Sequence, residues 1–318
     1  MGTQRPNTNP NTGTQPELLN FIFCNPRGLR PGWRLLIFVA IVYGLLNLQE
    51  ILLQRLNAWL PHGFAPSRLI LNETLSFLII LFASWVMSLV EHRNLGEYGL
   101  PLKNAAVLSR CIRGYIFWGF LPLALLLLLM RALHAFYFGN LALHGDQILY
   151  WGALWWILFM LVGLTEEYSL RGYALYTLAE GIGFWPAAVV LASLFALLHT
   201  FNRGETRIGI LMTAVFAMFA ATTLRYTGNL WIAVGIHAGW DWGQSYFFGV
   251  NDSGIQLPGH LLNPSVPGPA WLTGGSTGPE GSVLCIVLLV VLTVLFVLFY
   301  RKPQKPALVI AQQISRTP

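Results

Sequence analysis

Residues 161–175 read LVGLTEEYSLRGYAL, an oily run interrupted by Glu166, Glu167 and Arg171. Two further stretches repeat the pattern. Residues 189–202 read VVLASLFALLHTFN and carry His199; residues 230–243 read LWIAVGIHAGWDWG and carry His237 and Asp241. An ionisable group at the centre of a membrane helix costs roughly 2.5–3.5 kcal/mol on insertion scales, so a set of them implies a use. Carboxylates and imidazoles are also the groups that activate water or bind metal.

The rest of the chain supports the membrane setting. Of 318 residues, 55% are hydrophobic and only 10% charged, with a mean hydropathy of +0.58. That composition predicts an all-α fold, a polytopic transmembrane bundle with a polar cavity inside the membrane. Apolar runs predict eight spans, at roughly 33–54, 67–91, 111–133, 150–176, 186–202, 206–225, 229–249 and 282–300. The lipid bilayer is therefore the first partner. Nucleic acid is not expected: the formal charge is +6, but the basic residues are scattered among loops and form no stripe. Cys24, Cys111 and Cys285 lack the spacing of a zinc-cysteine site or a disulfide framework.

Of the 19 Lys and Arg, only Arg55, Arg68, Arg131, Arg203 and Arg207 fall on the side opposite the N-terminus. The positive-inside rule then predicts both termini in the cytoplasm. A multi-pass protein with compact loops and no apparent targeting peptide suits a bacterial inner membrane. The expected organisation is a disordered tail over 1–30, a three-helix frame over 31–145 and a catalytic helix core over 146–250. A Gly/Pro-rich extracytoplasmic loop follows over 251–281, and a final helix with its cytoplasmic tail over 282–318.

Helical spacing sorts the polar groups. Glu167 and Arg171 stand four apart and share a face, so they can pair, and Arg171 can also snorkel. Glu166 is rotated about 100° from Glu167 and is left free. His237 and Asp241 also share a face, with Gln244 continuing it. Gly235, Gly239 and Gly243 form a small-residue ladder roughly 200° around the same helix, suited to close packing. With helix entries near 152, 189 and 229, rise per residue puts Glu166, His199 and His237 roughly 9, 15 and 12 Å from the cytoplasmic face, in the inner half of the membrane. Entries at 148 and 185 would scatter them to roughly 3, 21 and 12 Å, so the spacing permits a shared depth without requiring it.

In these residues the chain resembles the CAAX-processing and bacteriocin-processing (CPBP) intramembrane proteases, which include the type II CAAX prenyl endopeptidases. Glu166-Glu167-Tyr168-Ser169-Leu170-Arg171 matches the family's Glu-Glu-x-x-x-Arg, Phe195 to His199 its Phe-x-x-x-His, and His237 to Asp241 its His-x-x-x-Asn/Asp. The resemblance implies an intramembrane endopeptidase acting on prenylated CAAX-type or other membrane-associated peptides. It implies Glu166 as the base that activates water with help from His199. His237 and Asp241 would steady the oxyanion or complete the site, and Glu167 with Arg171 would scaffold it. Asp241 stands where the prenyl endopeptidases commonly carry Asn, and an ionised carboxylate repels an oxyanion. It would therefore be protonated, orient His237, or help hold a metal.

Family members are generally labelled metalloproteases. Glu166, His199, His237 and Asp241 are of the types that bind zinc or another divalent ion, yet His-x-x-x-Asp is far less diagnostic than His-Glu-x-x-His. No Gly-x-Ser-x-Gly motif points to a serine nucleophile. Two other readings are weighed: a catalytically silent scaffold or immunity-type protein, which would keep the same residues, and a proton-coupled transporter. The second would need polar groups across the whole membrane and internal repeats, neither of which is apparent.

Overall fold

The computed structural model describes residues 22–25, 28–57, 66–101 and 106–300. The tails expected before residue 22 and after residue 300 lie outside the described residues. Within them the chain is a helical membrane bundle. Its helices are α1 (Pro31–Asn57), α2 (Pro66–Val90), α3 (Ala106–Ala132), α4 (Asp146–Ser169), α5 (Leu175–Ile182), α6 (Phe184–His199), α7 (Arg207–Thr227), α8 (Trp231–Asp241) and α9 (Val283–Phe299). Five helical stretches are long and apolar enough to cross a membrane: α1, α2, α3, α4 running into α5, and α7; α6 and α9 are shorter and equally oily.

All eight expected runs are helical among the described residues, five of them in stretches long enough to span, with one change. The fourth runs on to Ile182 and is broken at Leu170–Ala174, where π-helical turns surround Gly172 in a non-helical conformation (φ −80°, ψ −122°). A Cβ there would meet the Tyr168 ring at 2.7 Å, so the bend needs glycine. The helix therefore turns immediately after the Glu166–Arg171 motif. Helix ends elsewhere follow from capping. Thr206 accepts the Gly209 amide at 3.1 Å to start α7, Gly228 closes it at φ 74°, and Ser282 accepts the Cys285 amide at 3.1 Å to start α9.

α8 is the axis of the bundle, buried on every side from Ile232 to Asp241. Its glycine ladder packs on α3 as the spacing predicts. A Cβ on Gly235 would collide with the Cys111 carbonyl, and one on Gly239 with the Tyr115 carbonyl. α3 answers with Gly114 and Gly119 beneath the carbonyls of Ile232 and Ile236, inside π-helical turns over Gly114–Phe120. Gly239→Leu is thus expected to lower stability by about 1–3 kcal/mol or more. Thermal unfolding in detergent checks this against Gly44→Leu, since nothing lies within 4 Å of a Cβ at Gly44. Equal melting of the two variants would contradict the packing argument.

A buried ion cluster marks one end of the bundle. Arg34 from the start of α1 holds Glu91 at 2.7 Å and also Glu180 at the end of α5, while Arg93 reaches Glu180 at 2.8 Å. Glu91 further accepts the Tyr173 hydroxyl at 2.5 Å. At the other end lie the links α6–α7 and α8–α9. There the long 248–282 link folds back on the helices. Its strand β2 (Leu262–Ser265) pairs antiparallel with β1 (Tyr137–Leu141), and Pro258 accepts the Trp155 indole N–H at 3.1 Å. A Gly/Pro-rich connection expected to be a loop outside the membrane is therefore part of the packed body.

Candidate active site

The three motif stretches converge. Glu166, His199, His237 and Asp241 line a single cavity of ≈ 640 Å³. Glu166 comes from the last turn of α4, with its side chain about a third exposed (34%), and lines the cavity. Beside it, Glu167 is fully buried and pairs with Arg171 at 3.3 Å, as the four-residue spacing predicts. Arg171 does not snorkel. It is buried, with its guanidinium 4.8 Å above the Phe195 ring. One motif residue thereby rests on another: Phe195 sits one turn before His199 and packs on its imidazole at 4.4 Å.

His237 is enclosed by carboxylates. Its Nδ1–H donates to Glu167 at 3.0 Å, and its Nε2 faces Glu166 at 3.5 Å and Asp241 at 3.4 Å. Carboxylates only accept, so the geometry suits a ring with a proton on each nitrogen. The face of the ring packs edge-on against Phe216 of α7, 5.2 Å away. His199 Nδ1–H donates to the Phe195 carbonyl at 2.9 Å, which leaves Nε2 unburdened on the cavity side.

Two expectations are corrected. His199 does not lie well inside its span; it is the last residue of α6, and the chain turns at once toward α7. Gln244 does not continue the reactive face of α8. The helix widens to π turns over Trp242–Phe247, and it is Ser245 that lines the cavity beyond Asp241. Gln244 instead donates to the Asn251 carbonyl at 2.6 Å. The cavity lies toward one end of the bundle. Its lining includes Leu69 and Glu73 from the first turns of α2, Asn202 after α6, and Ser253 and Glu280 from the 248–282 link. All of these lie away from the Arg34–Glu91–Glu180 cluster.

Three carboxylates of the cavity escape a reading based on motifs. Glu73 stands in LNETLSF of α2, and the criterion applied to the other helices, an ionisable group in an oily run, would have flagged it. The Thr165 hydroxyl ties its backbone carbonyl to α4 at 3.4 Å. Asp252 and Glu280 are the acidic residues of the link. Asp252 accepts the Ser245 hydroxyl at 2.8 Å, and Glu280 accepts both the amide and the hydroxyl of Ser253. No periodicity tells that a loop returns to the site.

Burial, reinforced by Asp252, pushes the Glu280 carboxyl up to about 8, and burial pushes Asp252 up to about 6. A carboxyl whose folded pKa is raised binds its proton in the fold where the unfolded chain has lost it. Its stabilising share is full below the unfolded value and falls as pH rises toward the folded one. Melting temperature in detergent is therefore expected to rise from pH 8 to pH 5.5, by less in Glu280→Gln. An unchanged rise in that variant would contradict the assignment.

For a metal, the nearest grouping is His237 Nε2 with Glu166 and Asp241. Among the described residues no three His, Cys, Asp or Glu side chains are grouped so as to hold an ion. The residues as placed do not fit a metal cage, and the zinc expectation finds no support in them. Nor do the cavity's serines resemble a nucleophile beside a base. Ser169, Ser245 and Ser253 donate to the Glu166 carbonyl, to Asp252 and to Glu280, none of them to an imidazole.

A family described as Type II CAAX prenyl endopeptidase Rce1-like matches residues 148–243. That segment is similar to the Rce1-like family. It runs from α4 to the π turns after α8 and contains all three motifs, so the CPBP resemblance read from the sequence is borne out over it. No curated protein and no solved structure matches the chain. The Rce1-like segment supplies Glu166, His199, His237 and Asp241, while Glu73, Asp252 and Glu280 of the same cavity come from outside it.

Proposed function

We propose that the protein is an intramembrane endopeptidase that hydrolyses peptide bonds of prenylated CAAX-type or other membrane-associated substrates. The observation that carries this reading is the meeting of Glu166, His199, His237 and Asp241 around one cavity. Glu166 takes a proton from a water held between it and His199 Nε2. The hydroxide attacks the peptide carbon, and Glu166 returns the proton to the leaving amine as the C–N bond breaks. His237 donates through Nε2 to the oxyanion, and Glu167 fixes its ring through Nδ1. Asp241, 3.4 Å from Nε2, orients this ring rather than touching the oxyanion, consistent with a carboxylate where an amide is common.

The test is purified protein in lipid with prenylated CAAX peptides and membrane-spanning peptides, wild type against Glu166→Gln and His199→Ala. Scission lost in both variants supports the reading; scission undiminished in Glu166→Gln removes the assigned base. A strong chelator is expected to leave cleavage unchanged. Loss of cleavage with recovery on adding zinc would reinstate a metal at the site. Both termini in the cytoplasm and a bacterial inner membrane belong to the same proposal, and cysteine-labelling across the membrane tests the orientation.

A further inference from the structure

We infer that Thr277, far from the motifs in sequence and not itself in the cavity wall, is a positioning residue that holds His199 in place. The kinetic consequence rests on the proteolysis reading and deepens it. His199 is the last residue of α6. The end of a helix is where backbone hydrogen bonds run out and local opening is easiest. The contacts of the His199 ring with the Phe195 carbonyl and ring lie within α6, so they travel with the helix end. A side chain that must hold one water opposite Glu166 therefore needs a tie from outside its own helix.

The tie is a knot of three segments. Asn202, three residues on, donates its backbone amide to the His199 carbonyl at 3.0 Å and its side-chain amide to the Ser253 carbonyl at 3.3 Å. Ser253 in turn gives its amide and hydroxyl to Glu280. Thr277, fully buried, joins both sides. Its hydroxyl donates to Glu205 at 2.9 Å and accepts the Thr206 amide at 2.8 Å, which fixes the turn from α6 into α7. Its carbonyl accepts the Gly254 amide at 3.0 Å. Two further features are independent of these bonds. Gly204 and Gly254 meet backbone to backbone, and a Cβ on either would collide with the other. Ser253 is held at φ 44°, a left-handed conformation that residues with a side chain seldom adopt and that the surrounding structure must impose. The knot thus keeps a strained turn pressed against the chain that leaves His199.

The experiment uses the full chain in lipid nanodiscs, with Thr277→Val, Thr277→Ser and, from the other side of the knot, Asn202→Ala. Val keeps the shape and loses the hydroxyl; Ser keeps the hydroxyl. Amide hydrogen exchange over residues 199–206 is expected to quicken by about tenfold in Thr277→Val, the effect of leaving the partners of a buried hydroxyl unmet, and to stay slow in Thr277→Ser. On a cleavable membrane peptide, kcat is expected to fall by about tenfold or more with KM little changed, and Ser to recover most of the loss. In a His199→Ala background Thr277→Val should cost hardly more, since its effect passes through His199. Should Thr277→Val fail to fold, Asn202→Ala carries the same expectations. Unaltered kcat in both variants, or a loss that multiplies with that of His199→Ala, overturns the inference and leaves the protease standing. Faster exchange over 199–206 with no cleavage by wild type keeps the tie and overturns the protease.

Discussion

Glu166→Gln is expected to lower kcat/KM for peptide cleavage by roughly 10²–10⁴-fold, the ordinary contribution of a general base. The fold should survive it. The Glu166 side chain is a third exposed and approaches His237 at 3.5 Å, so the amide fits where the carboxylate was. The loss should fall on kcat more than on KM, because an amide keeps the shape of the cavity and lacks only the basic oxygen. Steady-state kinetics in lipid, with melting temperature measured on the same preparation, provides the check. A catalytically silent scaffold would show no scission in either protein and equal binding of peptide. A transporter would show proton-driven uptake that the substitution abolishes.

The second large effect is on folding. Arg171→Ala leaves Glu167, which is fully buried, without its guanidinium, and also strips the cation from the Phe195 ring. Removing one member of a buried ion pair costs about 3–5 kcal/mol, because the remaining charge cannot be rehydrated. Glu167 is also the acceptor for His237 Nδ1, so its displacement turns the catalytic ring as well. Arg171→Ala should therefore melt lower and cleave poorly. Glu167→Gln, which still accepts through its amide oxygen, should fall between it and wild type. Thermal unfolding and kcat of the three proteins decide it. Arg171→Ala melting with wild type would show that the pair does not bear the load placed on it here.

Much of this was legible in the chain because membrane helices are read from composition alone. Oily runs gave the spans to within a few residues. Four-residue spacings gave the Glu167–Arg171 pair and the shared face of His237 and Asp241, and the glycine ladder gave the seat of α8 on α3. What escaped reading depends on departures from a straight α-helix. Nothing in the spacing of Trp242–Phe247 announces the π turns that bring Ser245, in place of Gln244, to the cavity. The bend at Gly172 is of the same kind: glycine permits it, but tertiary packing imposes it. Depths counted from assumed helix ends were equally exposed to such departures: α6 stops at His199, three residues short of the run 186–202. Asp252 and Glu280 were missed for a different reason. A loop's return to the core is decided by long-range contacts that leave no periodic trace.

The most direct measurement is a double-mutant cycle between Glu166 and His199, which lie on different helices, α4 and α6. Residues that act on one water lose their effect together. Glu166→Gln with His199→Ala is therefore expected to reduce kcat/KM hardly more than the worse single substitution. Losses that multiply would mean that the two side chains work in separate places, and the shared site would be disproved.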